Sequence, residues 1–425
     1  MIIHRVERGE TLFSIAEKYK ISVFNLLTNN GFSLDESLVP GQSAVILYPE
    51  ITHVVRSGET LFSIAQNYGI TLNRLYRNNP FLNASPTVSQ GQELFITYSD
   101  RPLRTASFNG YAYDFVNLPL LRFQQPYLSY MTPFTYGFTP SGELIVPKDV
   151  PLIEIANDYG VKPLMHLSTL TSEGTFSNEL AQNMLNNKAA QAVLIESVLN
   201  VIEEKGYRGL DIDFEFLPSE DALSYANLIS DFRERLNPLG YIVVTALAPK
   251  TSRDQKGLLY EGHLYREIGE ASDAVLLMTY EWGYTYGAPM PVAPINSVRR
   301  VIEYALSEIP SEKIFMGIPN YGYDWTLPFV AGESRARSIS NTDAVNIARR
   351  YGAQILYNEN SQSPYFNYTD ESGKEHEVHF EDAFSIREKL LLINEYNLLG
   401  AGYWNLMRPF VQNWTVLNAL YNVSQ

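Results

Sequence analysis

The octet GETLFSIA occurs twice, at residues 9–16 and again at 58–65, so the chain contains a duplicated unit of fewer than 50 residues. A repeat that short must be a small self-contained module, and it divides the chain before any other feature is considered. His4–Tyr19 matches His53–Tyr68 at an offset of 49. Later positions keep the match: Ile21 with Ile70, Leu26 with Leu75, and Asn29–Asn30 with Asn78–Asn79. One inserted residue then shifts the offset to 50, pairing Gly41–Gln42 with Gly91–Gln92 and Tyr48 with Tyr98. Each copy reads as strand, helix, helix, strand. Val6 lies in the first strand, Gly9 turns the chain, and Thr11 supplies an N-cap. Leu12, Ile15, Ala16 and Tyr19 share one helical face, Asn29–Asn30 close a second helix, and Ala44–Leu47 return as a strand.

After a short polar stretch carrying a proline, Ser99–Arg104, the pattern changes. Strand-like runs alternate with helix-length segments over the remaining 320 or so residues, the size and rhythm of a (β/α)₈ barrel. Eight strands are predicted: Ala106–Tyr111, Tyr130–Phe138, Lys162–Ser168, Gly209–Phe214, Tyr241–Ala246, Ala274–Thr279, Ile314–Pro319 and Gly400–Leu406. Helices are expected at Asn187–Lys205 and Ser219–Asn237. The interval before the eighth strand is too long for one crossover. It holds a helix, Asn341–Tyr351, and two further strands, Gln354–Tyr368 and Gly373–Phe380. The expected architecture is therefore an α/β (β/α)₈ barrel with a small α+β insertion between strands seven and eight, preceded by two βααβ modules. The boundaries are 1–49, 50–98, a linker at 99–104, and 105–425 with the inserted lobe at about 326–380.

Composition narrows the function. The net charge of −15 opposes a partner held by phosphate neutralisation, so nucleic acid is not expected. Residues 1–98 carry 7 Lys+Arg against 8 Asp+Glu and the remainder 25 against 39, so the acidity belongs to the barrel. No cysteine is present, which excludes disulfides and thiolate sites. The six histidines form no HxxxH or HExxH pair, and neither a metal nor a cofactor is expected. Apolar runs are strand-sized, with no membrane span. The N-terminus, MIIHRVERGETL, shows no basic segment followed by an apolar run, so a Sec signal is not expected.

The stretch GLDIDFEF, residues 209–216, sets Asp211, Asp213 and Glu215 at alternate positions of an apolar strand. Alternate side chains share a face and lie about 6–7 Å apart, so the acids form a column inside the barrel. Glu215 stands at its C-terminal mouth, where active sites of this architecture lie. Three sheltered acids cannot all ionise. Burial and repulsion raise their pKa values, which suits a general acid poised near neutrality. An acidic rim open to solvent and a cation site are the alternatives the residues leave open. Aromatic residues at predicted strand ends, Tyr111, Tyr136, Trp282, Tyr321 and Trp325, suit sugar stacking, with Asn320 as a polar candidate. His166 is expected to be a satisfied barrel residue.

The tandem unit resembles the LysM module, which binds N-acetylglucosamine (GlcNAc)-containing glycans. That resemblance assigns glycan contact to Gly9, Thr11 and Leu12 and to Gly58, Thr60 and Leu61. RGLDIDFE (208–215) resembles the glycoside hydrolase family 18 signature DGxDxDxE. LLMTYEWG (276–283), GIPNYGYDW (317–325), VHFEDAFSIREKL (378–390) and GAGYWNL (400–406) are similar to further segments of that family. The resemblance implies that Glu215 donates a proton to the glycosidic oxygen and that Asp213 holds the substrate's acetamido N–H. It further implies that Asp211 supports Asp213, Tyr280 steadies the acetamido carbonyl, and Trp404 floors the −1 sugar. Three positions depart from the pattern. Arg208 replaces an Asp, off the acid column; Glu281 replaces the Asp after the sixth-strand Tyr; Phe214 replaces a Trp.

Two LysM-like modules before such a barrel resemble the spore cortex-lytic N-acetylglucosaminidases of endospore-forming bacteria. The implied protein is a peptidoglycan-binding monomer of the spore envelope that cleaves after GlcNAc during germination. A chitinase on the same scaffold, or a non-catalytic glycan-binding envelope protein, are the alternatives.

Overall fold

Each repeat builds a two-stranded antiparallel sheet with two short helices against it. The computed structural model describes residues 1–425 throughout. In the first repeat Ile2–Arg5 pairs with Ser43–Ile46, and the helices are Leu12–Tyr19 and Val23–Asn30. In the second, Pro49–Val54 pairs with Glu93–Tyr98, with helices Leu61–Asn67 and Leu72–Asn78. Thr11 and Thr60 cap their helices, each side chain accepting from the amide of the serine three residues on, while that serine bonds back to the cap.

The residues expected to contact glycan in the repeats have structural roles of their own. Leu12 and Leu61 are 3% and 2% exposed and belong to the module cores, so neither offers a surface to a sugar. The Thr11 and Thr60 hydroxyls are engaged as helix caps. Gly9 and Gly58 turn the chain with φ of +88° and +83°, which a side chain would resist. The shared octet thus encodes a helix start and part of the module core, while its Phe13 and Phe62 stand exposed.

The barrel comprises Arg104–Tyr113, Tyr130–Phe134, Lys162–Ser168, Gly209–Asp213, Ile242–Leu247, Ala274–Leu277, Ile314–Pro319 and Gly400–Trp404, all parallel. The third strand is broken at Leu164. Its first half pairs with strand two and its second half with strand four, and the ring closes across that break. The second strand stops at Phe134 rather than reaching Phe138; Gly137–Phe138 instead form a small hairpin with Leu144–Ile145.

Leu210 and Ile212 face outward into the core shared with the helices. Inside the ring, Leu164, Val244, Ala274, Leu276 and Phe315 pack with Tyr111 into an apolar plug. The acids of the fourth strand are therefore held on a rigid, water-excluding base.

Between strands seven and eight lies a five-stranded antiparallel sheet of Gly322–Thr326, Arg337–Ile339, Leu356–Asn358, Ser363–Thr369 and Glu375–His379, with helix Asn341–Tyr351. The segment read as one strand, Gln354–Tyr368, is two strands of a hairpin. The sheet begins at Gly322, ahead of the expected boundary, because Gly322–Thr326 follows strand seven so closely that its sequence reads as a continuation.

The two repeats are fastened to the barrel through its last helix, Val411–Leu420. Gln412, Thr415 and Asn418, three residues apart and so along one stripe, each reach a module. Gln412 Nε2 donates to the Ser43 carbonyl at 2.7 Å, Thr415 to the Asn29 carbonyl at 2.8 Å, and Asn418 Nδ2 to Asn78 Oδ1 at 2.9 Å. Gly41 touches the inserted lobe so closely that a Cβ there would lie 1.8 Å from the Ile355 carbonyl oxygen.

Candidate active site

The upper two acids of the column, Asp213 and Glu215, line a cavity of about 340 Å³ at the C-terminal end of the strands. That volume lies at the small end of ligand pockets, enough to enclose roughly one sugar ring with its substituents. Asp213, Glu215, Tyr111, Tyr280, Glu281, Trp282 and Trp404 all line it. The strand itself ends at Asp213, so Glu215 projects from the first residues beyond the ladder.

Asp211 is fully buried beneath the cavity. Its Oδ2 accepts a 2.6 Å hydrogen bond from the Tyr111 hydroxyl, and its Oδ1 has no partner. Burial pushes its carboxyl up to about 7, with the Tyr111 bond pulling the other way. Asp213 is raised well above the ordinary carboxylate range by burial and by the charges of Glu215 and Asp211. Its Oδ1 also lacks a partner, and His166 Nε2 stands 3.7 Å from its Oδ2. Glu215 is pushed up to about 7 by burial and then by the Glu281 charge. Chemically, this is a set of carboxyls that shares protons near neutrality and keeps acceptor atoms free for a ligand.

His166 lies in this cavity rather than in a closed core. Its Nδ1 shares a 2.6 Å hydrogen bond with Thr135 Oγ1, which is itself 2.9 Å from Ser168 Oγ. Burial drives its pKa down to about 3, so it stays neutral beside the acids.

The aromatic wall is built by packing. The Trp404 ring meets Phe134, Tyr111 and Tyr113 at centroid distances of 5.0, 5.8 and 6.0 Å. Gly317 leaves room for Tyr280, since a Cβ there would lie 2.7 Å from the tyrosine ring. Glu281 sits at φ +64°, a left-handed conformation that costs a non-glycine residue energy. Its carboxylate accepts hydrogen bonds from Tyr321 and, at 3.0 and 3.2 Å, from Tyr323.

Other expected contacts lie elsewhere. Tyr136 is wholly buried outside the mouth: its backbone still bonds to His166 and Ser168 of the third strand, but its hydroxyl is bonded to Asp149 beside Lys205 and Tyr207. Asn320 is also buried and donates to the carbonyls of Asn405 and Arg408 at 2.9 Å, bracing the turn after Trp404. Trp325 belongs to the inserted sheet, its indole N–H bonded to the Gly287 carbonyl. Tyr321 reaches the site only through Glu281. Arg208 is exposed at the far end of the fourth strand, away from the cavity.

The cavity adds Tyr113, Phe134, Phe176 and Phe216, which sequence reasoning missed. Tyr113 shares strand parity with Tyr111 and could have been found by the period of two. Phe176 lies on a connection where no periodicity operates. No group of His, Cys, Asp and Glu is arranged to hold a metal ion.

Proton-loaded carboxyls at this face of a barrel, beside aromatic rings, are suited to glycoside cleavage. The chain belongs to the glycosyl hydrolases family 18, whose model matches residues 136–408, and it carries two LysM domains at residues 4–45 and 53–97. It is 41% identical over 429 residues to a cortical fragment-lytic enzyme of Bacillus subtilis (strain 168), covering 100% of this chain and 99% of that protein. Among solved structures it resembles the spore cortex-lytic enzyme SleL of Bacillus megaterium QM B1551. That match has a TM-score of 0.84 and 36% identity over 99% of this chain and 98% of the other. The Bacillus cereus SleL matches with a TM-score of 0.85 and 33% identity over 100% and 98%. LysM domains and the family 18 barrel make this a glycan-binding glycoside hydrolase. No helix is long and apolar enough to cross a membrane.

Proposed function

We propose that this protein hydrolyses spore cortex peptidoglycan as an N-acetylglucosaminidase, cleaving the β-1,4 bond after GlcNAc with retention. The observation that carries the reading is the carboxyl column, with Asp213 and Glu215 in an aromatic cavity and Asp211 buried beneath them, and an unpartnered acceptor oxygen on Asp213. Glu215, poised near neutrality, protonates the departing glycosidic oxygen. The substrate's own acetamido oxygen attacks the anomeric carbon and closes an oxazolinium ring, the substrate-assisted route of this family. Asp213 orients the acetamido N–H and stabilises the positive charge that develops there, while Asp211 shares its proton. Water, deprotonated by Glu215, then opens the ring from the face that restores the original configuration.

No second carboxylate is needed as nucleophile, and the other acid in the cavity, Glu281, is already engaged by Tyr321 and Tyr323. Tyr280 steadies the acetamido carbonyl and Trp404 stacks beneath the sugar. The LysM pair holds the enzyme on peptidoglycan. The names of the relatives support the spore cortex as substrate; the proposed location is the spore envelope and the proposed occasion germination. The chain acts as a monomer.

Mass spectrometry of products from purified cortex fragments tests the reading. GlcNAc reducing ends with retained β configuration are expected. Release from chitin oligomers but not from cortex fragments would make it a chitinase, and no release from either would leave only a glycan-binding protein.

A further inference from the structure

Glu215 lies beyond the last rung of the fourth strand, yet the backbone that carries it is not free. The strand's pairing with strand five ends at Ile212–Thr245, and its pairing with strand three ends at Asp213. From Phe214 onward, side chains take over the role of the sheet. The Phe214 N–H donates to the Tyr225 hydroxyl at 3.3 Å, and the Phe214 carbonyl accepts from His263 Nε2 at 3.0 Å. That carbonyl belongs to the peptide linking Phe214 to Glu215.

His263 is built for this one contact. It comes from the connection after strand five and is fully buried. Its Nδ1 accepts the Ala248 N–H at 2.8 Å, so the ring proton must sit on Nε2, facing Phe214. The His263 carbonyl is held by Lys250 Nζ at 3.0 Å. Burial keeps the imidazole neutral, its pKa lowered to about 4, and the tautomer is fixed across the neutral range.

Packing closes the same joint. The Phe214 ring stacks on Tyr225 and on Phe138 at centroid distances of 5.5 and 5.4 Å. One residue before His263, Gly262 abuts Leu217, where a Cβ would lie 2.3 Å from the leucine Cβ. Neither His263 nor Tyr225 lines the cavity, so neither touches a ligand there.

We propose that His263, with Tyr225, is a positioning residue for the reaction, holding the peptide on which Glu215 stands so that its carboxyl stays in register with the glycosidic oxygen. The inference rests on Glu215 being the proton donor. A displacement of one ångström at a catalytic group costs about 100-fold in rate, which a loop end without ladder bonds would otherwise suffer.

The test uses the full chain and a soluble GlcNAc oligosaccharide, comparing His263→Leu with His263→Gln. The Leu variant removes the donor; the Gln variant keeps an N–H able to reach the Phe214 carbonyl. For the Leu variant kcat should fall about 10–100-fold with KM within about twofold, and the Gln variant should recover most of that loss. A folded Leu variant with unchanged kcat, a loss confined to KM, or a kcat loss that Gln does not repair would each overturn the proposal. If the Leu variant does not fold, Tyr225→Phe removes only the hydroxyl and keeps the ring stack. It should lower kcat at constant KM, and an unchanged kcat there overturns the clamp. Glu215→Gln, assayed alongside, separates the two ideas. Full activity in that variant removes the proton-donor reading itself, whereas its inactivity beside unimpaired His263 variants removes the clamp alone.

Discussion

At the barrel mouth, burial and the Glu281 charge push Glu215 up to about 7, whereas in the first repeat Glu10 is held at about 2. Both side chains are partly sheltered glutamates, and shelter alone would raise both. Around Glu10 that push is outweighed by hydrogen bonds from the Glu7 amide, His4 Nε2 and Lys18 Nζ at 2.8, 2.7 and 3.1 Å. Glu215 has no such donors and faces two other acids and Glu281. The repeat satisfies its charge from within; the mouth leaves its charges to a ligand. An unsatisfied site costs stability, and a carboxyl that is proton-loaded near neutrality is what that cost obtains.

Glu215→Gln breaks the comparison most severely. Loss of a general acid should lower turnover about 10²–10⁴-fold, read as GlcNAc reducing ends released from cortex fragments. Full activity in this variant would sink the assignment.

A smaller effect is expected from pH alone. Glu215 must begin each cycle protonated, so activity should decline as pH rises through about 7. The kcat–pH profile checks this, and an alkaline limb that begins well above 8 would count against it.

The smallest effect is also the most direct contrast, because one substitution should act with opposite signs in the two regions. Glu215 has a folded pKa above its ordinary 4.5, so its protonation favours the fold fully below that value, and the benefit is lost as pH rises through about 7. Glu215→Gln should therefore raise the melting temperature at pH 8, by about 1–3 kcal/mol in stability, with the gap closing toward pH 4. Glu10 has a folded pKa below 4.5, so its stabilisation is present above that value and lost as pH falls toward 2. Glu10→Gln should lower stability at pH 7 by about 1 kcal/mol or less, its pair with Lys18 being at the surface. Thermal scans at pH 4 and pH 8 check both, and a shared sign at pH 8 would show that the two environments do not differ as described.

The difference between the regions also governs how legible each was. GETLFSIA showed a turn, a cap and an apolar helical face, all of which are local, and the repeats fold accordingly. Leu12 and Leu61 lie in the module cores because the same apolar period that announces a helix also fills its core. At the mouth, the strand period alone put Asp211, Asp213 and Glu215 on one side. Tyr136 stands apart from the cavity because its side chain turns to Asp149, Lys205 and Tyr207, contacts that no local pattern marks.

By itself the sequence determined the tandem modules, the alternation that makes a (β/α)₈ barrel, and the parity of the acid column. These follow from periods of 2.0 and 3.6 residues and from cap and turn chemistry, which act over a few neighbours. Tertiary structure alone decided which aromatic rings converge on the acids, that His166 stands beside Asp213, and that the last helix ties both repeats to the barrel through Gln412, Thr415 and Asn418. Those contacts join residues up to hundreds of positions apart, so no local pattern encodes them, and only closure of the ring and packing of the modules bring the side chains together.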